Sequence, residues 1–518
     1  MVSTAISVAA ALAVAAVLLA GIRGADDYSS HMFQAGMVWG SVFLAASILI
    51  AVLSALGMVE DDPVSRAVLS AALVAGAAAE ARASSIAARF GKAAHPYLRA
   101  LAILAAASAC AMLALELPSN HALWGMAAGP ALLEFALIFC LLAILYFLPR
   151  RHGALAALGV VALAGVGLAE YFVVSFKSMP IQPGDLFALG TAAAVAGGYT
   201  YVLSPFCVYG IASALLGILG LSLSWPLGAG DRRAEEAPDG EGPDGHAPDG
   251  EASRRKFPLS VDRRTAIAGA AALAVQPFID YYDRLGIRLH TWLPLDSYYS
   301  QGFLPTFISS AQKMVPPKPA RYRRTEADAL IGRYAAAWRR DAALGAAPSR
   351  LQAEEQFDRL MPSIVCIMNE SFADLSIFDG LRSGYQGPVR FNSLPDALFR
   401  GVSYMSAFGA GTCNSEFEFL TGQSMSFLGS GVYPYMTYNL APVDNLARQF
   451  KKLGYRTVAM HPNHGTNWNR ENVFSDMGFD EFLTIDDFTG APELCRKVTD
   501  AATFDKCLEI LRESDGPV

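Results

Sequence analysis

The stretch GAGTCNSEFEFLTG, residues 409–422, decides how the chain is read. Gly409 and Gly411 precede a Thr412–Cys413 pair, Glu416 and Glu418 follow, and Gly422 closes the run. The segment after the glycines has helical character, so Thr412 is expected at the mouth of a helix. A hydroxyl there sits in the positive field of the helix dipole. That field lowers the cost of alkoxide character and favours a bound phosphate. A divalent cation would do more. Two readings stay open on these residues alone: Thr412 as a nucleophile, or as a plain N-cap with Glu416 completing a capping-box-like turn.

Working outward, PSIVCIMNESF (362–372) reads as a buried strand, because a continuous apolar run of this length fits a central parallel strand. Glu370 then lies at its carboxyl end, where open α/β sheets bind ligands, and offers a hard oxygen to a metal. YRTVAMHPN (455–463) is a second strand with His461 at its carboxyl end. DNLARQFKKLGY (444–455) is an amphipathic helix ending at Gly454, and 499–512 is another, capped by Thr499 or Asp500. Strands alternating with helices predict an α/β sandwich.

The 518 residues exceed one ordinary domain. Hydrophobic residues make up 53% and charged ones 17%, a balance foreign to a soluble enzyme. The apolar excess lies before residue 283, so a membrane half precedes a soluble half. A net charge of −7 without a basic cluster excludes nucleic acid as the main partner. Cys110, Cys140 and Cys207 fall in apolar runs and read as packing residues, whereas Cys495 and Cys507 are candidates for a pair outside the cell.

A bilayer core of ~30 Å needs about 20 apolar residues as a helix. Residues 2–22, 36–59, 98–117, 123–148, 154–176 and 207–227 meet that test, and 262–282 reads as a shorter last span. Arginines and lysines in 60–97, 149–152 and 228–264 place those loops in the cytoplasm, with 23–35 and 118–122 outside. Segment 177–206 is expected to stay outside as a re-entrant or surface segment, and Glu134 stands inside a span. The triple Pro-Asp-Gly repeat at 234–253 cannot bury a core. The expected division is a transmembrane helical domain over 1–228, a disordered acidic cytoplasmic linker over 229–262, a last transmembrane helix over 263–283, a connector over 284–355, and a folded α/β domain over 356–518.

The strand ending in MNESF, the run FGAGTCNSEFEFLTGQSM and the later MHPNHGTNWNRENVFSDMGFD together resemble the lipoteichoic acid synthase group. These are sulfatase-like phosphoglycerol transferases on the alkaline-phosphatase fold. EYFVVSFKSMPIQPGDLFALGTA (170–192) resembles their membrane part, so the likeness runs from about 170 to the end. The resemblance implies a multi-pass helical membrane domain followed by an extracytoplasmic alkaline-phosphatase/sulfatase-like α/β domain. It implies Thr412 as nucleophile and metal ligand, Glu370 as metal ligand, and His461, Trp468 and Arg470 as substrate-binding residues. It implies Mn2+ or Mg2+ as cofactor, phosphatidylglycerol as donor and an envelope polymer, glycolipid or glycan as acceptor. The threonine takes glycerophosphate, releases diacylglycerol, and passes the group to a hydroxyl.

The family's later Gly-Asp-His run, which completes the metal site, has no counterpart here, and SDGPV at the end looks like the start of a strand. The domain is therefore expected to be incomplete at its C-terminus. His464 and Asp374 are substitute ligands without the motif behind them. A phosphoethanolamine transferase and a non-catalytic membrane protein are the alternative readings.

Overall fold

The computed structural model describes residues 2–518 apart from 24–30, 84, 87–94, 121–122, 150–152, 191–192, 194–198, 228–260, 291–292, 316–319, 346–347, 370–371, 373, 379–383, 396, 398–400, 402, 407–410 and 429–430. The Pro-Asp-Gly linker, His246 and Glu370 lie outside the described residues. The chain divides into two compact units, one of 1–182 with 198–312 and the other of 183–197 with 313–518.

The first unit is helical. Its long helices are α1 (Val2–Arg23), α2 (His31–Ala55), α3 (Pro63–Ala81), α4 (Pro96–Glu116), α5 (Ala128–Phe147), α6 (Gly153–Lys177) and α7 (Pro205–Leu227). All seven are long and apolar enough to cross a membrane, the mark of a multi-pass membrane protein. Helix α3 falls in a region read from sequence as a cytoplasmic loop. Its mean hydropathy of 1.4 is the lowest of the seven, diluted by alanine, serine, Arg66 and Glu80. Burial explains how it packs nonetheless: Arg66 donates to the Glu60 carbonyl, and Glu80 accepts from Ser222 of α7. Helix α8 (Val261–Ala274) has 14 residues among those described and lies where the last span was expected.

Small residues let these helices approach closely, as in other membrane bundles. A Cβ added to Gly167 of α6 would stand 2.5 Å from the Leu115 carbonyl of α4. Helices α9 (Pro294–Gln301) and α10 (Phe303–Lys313) follow. The amide of Phe303 donates to Glu116 at 2.8 Å and that of Leu304 to Glu134 at 3.0 Å. Two carboxylates thus satisfy the open N–H groups that begin α10. This gives the intramembrane Glu134 a structural role, and it ties 294–312 to the helical unit, where the sequence suggested a connector.

In the second unit, α11 (Arg324–Gly345) and α12 (Pro348–Leu360) precede α13 (Thr412–Thr421), α14 (Leu446–Lys452), α15 (Arg470–Met477) and α16 (Asp500–Glu513). Asn445 caps α14 and Thr499 caps α16, both through their side chains. Strand β1 (Val458–Met460) pairs in parallel with β2 (Glu481–Leu483), and α15 is the crossover between them. A short antiparallel pair, β3 (Glu493–Leu494) and β4 (Lys497–Val498), follows. Cys413, Phe417, Tyr433, Tyr435, Val473, Phe474 and Met477 form the core around α13 and α15.

The expected strand over 362–372 differs. Among the described residues only its start is paired: Ile364 donates to the Val518 carbonyl, and Val518 donates to Ser363. A central strand needs a hydrogen-bonded neighbour on each edge. Without them Val365 and Ile367 remain 47% and 57% exposed. Cys495 and Cys507 are free thiols, so the suggested pair is not formed.

Candidate active site

Helix α13 begins because Gly411 adopts a left-handed backbone, φ 69°, and it ends at Gly422 in the same region, φ 67°. Gly411 is the N-cap, so Thr412 is the first helical residue and the capping-box reading is overturned. Thr412 is half-buried, and its hydroxyl makes no hydrogen bond among the described residues. Cys413, one residue on, is fully buried. Burial, reinforced by the nearby Glu416 charge, pushes its thiol far above the ordinary range. A thiolate is the reactive form of cysteine, so of the Thr-Cys pair only the threonine is presented for chemistry.

A side chain at Gly411 would meet two obstacles. The left-handed conformation costs an L-residue about 1–2 kcal/mol, and its Cβ would come within 3.1 Å of Tyr433 Cε1. Gly411→Ala is expected to destabilise the unit by at least that amount, read as earlier protease sensitivity on heating.

Glu418 braces the other face of α13. Its carboxylate accepts from the amides of Ser406 at 3.0 Å and Met425 at 2.7 Å, joining the chain before α13 to the chain after it. Burial alone would raise its pKa, but the Met425 and Ser406 bonds outweigh it and hold the pKa below its ordinary value. Its stabilisation is therefore present above the unfolded-state value and is lost as the pH falls through the folded one. Glu418→Gln should cost about 1–3 kcal/mol near neutrality. The gap from the unaltered protein should narrow on acidification in a series of thermal melts.

His461 directly follows β1, as expected, and its amide donates to the Leu483 carbonyl of β2 at 2.9 Å. Trp468 and Asn469 both hold positive φ, 57° and 59°. Two such residues in succession outside glycine are strained and typical of functional loops. The Trp468 ring packs on Tyr433, with centroids 5.0 Å apart. Asn469 donates to the Tyr435 carbonyl, and Asn414 of α13 to that of Val432. Segment 432–435 is thus the floor shared by α13 and the Trp468 loop, and the sequence reading missed it.

Arg470 departs from its expected role. It is 1% exposed and grips the Glu416 carboxylate with Nε and Nη2. Two forked contacts of this kind define a buried ion pair, which joins α15 to α13 beneath the site.

Among the described residues no group of three or more His, Cys, Asp or Glu could hold a metal ion. Asp374 is engaged by Ser376 and Asn392, and His464 is exposed. The residues described do not by themselves build a cation site.

Residues 362–518 match the sulfatase family, so the C-terminal part is a sulfatase-family domain of the alkaline-phosphatase superfamily. A Rhizobium meliloti (strain 1021) protein named for cyclic beta-1,2-glucan modification is 27% identical over 233 residues. That match covers 45% of this chain and 33% of the relative, so the chain spans about a third of the relative's length. No solved structure matches.

Proposed function

We propose that the protein is a membrane-anchored phosphoglycerol transferase that moves glycerophosphate from phosphatidylglycerol to a hydroxyl of an envelope glycan or polymer. The observation carrying this reading is Thr412 in the first turn of α13, its hydroxyl unengaged among the described residues, beside a thiol too buried to compete. Thr412 Oγ attacks the phosphorus of the lipid phosphodiester. The bond from phosphorus to the diacylglycerol oxygen breaks, and diacylglycerol leaves with the threonine's proton. An acceptor hydroxyl then attacks the same phosphorus, and Thr412 departs, regaining a proton from the acceptor. Splitting the displacement lets one nucleophile serve two substrates. The dipole of α13 favours the phosphate throughout.

His461 and Trp468 are the candidates for holding the headgroup. Mn2+ or Mg2+ is the cofactor this reading calls for, with Glu370 and Thr412 as first candidates to bind it. The relative's name favours a glycan acceptor. If each of the seven apolar helices crosses once, the basic loops 82–95, 148–152 and 228–260 share one face with 24–30. The positive-inside rule makes that face cytoplasmic, 24–30 included against the first expectation, and we take the site to lie on the opposite face, where residues 183–190 of its own unit stand between α6 and α7.

The test uses full-length protein in vesicles containing phosphatidylglycerol or phosphatidylethanolamine, each headgroup-labelled, with cyclic glucan as acceptor. Label transfer and diacylglycerol release from phosphatidylglycerol alone are expected. Transfer from phosphatidylethanolamine alone would replace the reading with the ethanolamine one.

A further inference from the structure

Residues 183–190 lie, in sequence, between α6 and α7, yet they fold into the unit that carries Thr412. A 3-10 turn, Pro183–Leu186, presents Asp185 to the core of that unit. The Asp185 carboxylate accepts from the Tyr433 hydroxyl at 3.1 Å across 248 residues of chain. Gly184 lies flush against the Gly431 carbonyl, closer than any Cβ would allow. Tyr433 is 5% exposed and touches two parts of the site at once. Its ring edge backs Gly411, the residue that caps α13 and precedes Thr412, and the ring also packs, tilted by 37°, on Trp468.

We propose that Asp185 is a positioning residue for the transfer reaction, an inference that rests on the Thr412 reading above. It fixes the Tyr433 hydroxyl and through it the ring that sets both the Gly411 cap and the Trp468 indole. A phenol ring buried between two loops has one remaining soft motion, rocking about its Cβ, and the hydrogen bond at its far end stops that motion. Loss of Asp185 leaves Tyr433 buried and the core packed. What it loosens is the alignment of Thr412 with the headgroup face at Trp468. Misplacement of reacting groups by an ångström or less is costly in rate.

The experiment measures diacylglycerol release from phosphatidylglycerol vesicles by full-length protein carrying Asp185→Ala, Asp185→Asn, Tyr433→Phe, or Asp185→Ala with Tyr433→Phe. Protease resistance on heating is followed in parallel. Asp185→Ala should lower kcat by about 10–100-fold with KM little changed. Asp185→Asn, which keeps an acceptor oxygen, should recover most of the rate. The double variant should be no slower than the worse single one, because both changes break the same bond. An unchanged kcat in Asp185→Ala, multiplying losses in the double variant, or a loss that tracks only the unfolded fraction would overturn the proposal while leaving the transferase reading intact. Wild-type turnover in Thr412→Ala would instead remove that reading, and this proposal with it.

Discussion

Replacing Thr412 with alanine should abolish diacylglycerol release. The residue is the first of α13, with a half-buried hydroxyl and a helix dipole behind it. Removing a covalent nucleophile leaves only binding and field effects, so a fall of ~10³-fold or more is expected. The fold should tolerate the change, because the N-cap is Gly411 and the Thr412 hydroxyl bonds nothing among the described residues. Alanine is also the better helix former. Melting should therefore hold or rise slightly. Thr412→Ser should keep part of the activity, and labelled glycerophosphate should remain covalently attached to the unaltered protein but not to the alanine variant. Retained turnover in Thr412→Ala would remove the transferase reading.

Arg470→Ala should have the largest effect on stability. The guanidinium is 1% exposed and engages Glu416, itself only 13% exposed along its side chain. Taking away one partner strands a buried carboxylate, which costs about 3–5 kcal/mol. For a unit of this size that corresponds to a drop of roughly 6–20 °C in the midpoint of heat-induced protease sensitivity. Replacing both residues, as Arg470→Met with Glu416→Leu, removes the stranded charge and should restore much of the loss. If Arg470 instead met substrate directly, the single variant would melt normally and only KM would move.

These expectations also show how far the sequence could be read. Helices α13, α14 and α16 were legible because glycines, a capping asparagine and a capping threonine mark their ends locally. The His461 position followed from an apolar run ending in a polar turn. Helix α3 was missed because hydropathy averages over residues, while Arg66 and Glu80 each meet a partner outside the helix. The 362–368 run shows the opposite failure: its composition suits a strand, but strand formation needs neighbours that composition does not supply. Arg470 looked like a substrate ligand because its motif lies beside Trp468. Only the packing of α15 on α13 reveals that Glu416 claims it. Tyr433 had a faint local signal in the aromatic run 432–435, and Asp185 only its place in the 170–192 stretch that carries part of the resemblance.

The Asp185–Tyr433 contact has a consequence for synthesis. At ~5–20 residues per second, Tyr433 is made roughly 12–50 s after Asp185. Throughout that interval the 183–190 turn exists without the surface it packs on. The logarithmic entropy of closing a 248-residue loop amounts to roughly 5 kcal/mol, and it falls due before the contact returns anything. Contacts so distant in sequence slow folding. The reactive unit should therefore be among the last parts of the chain to become protease-resistant, and a pulse-chase of nascent protein should show the helical unit protected first.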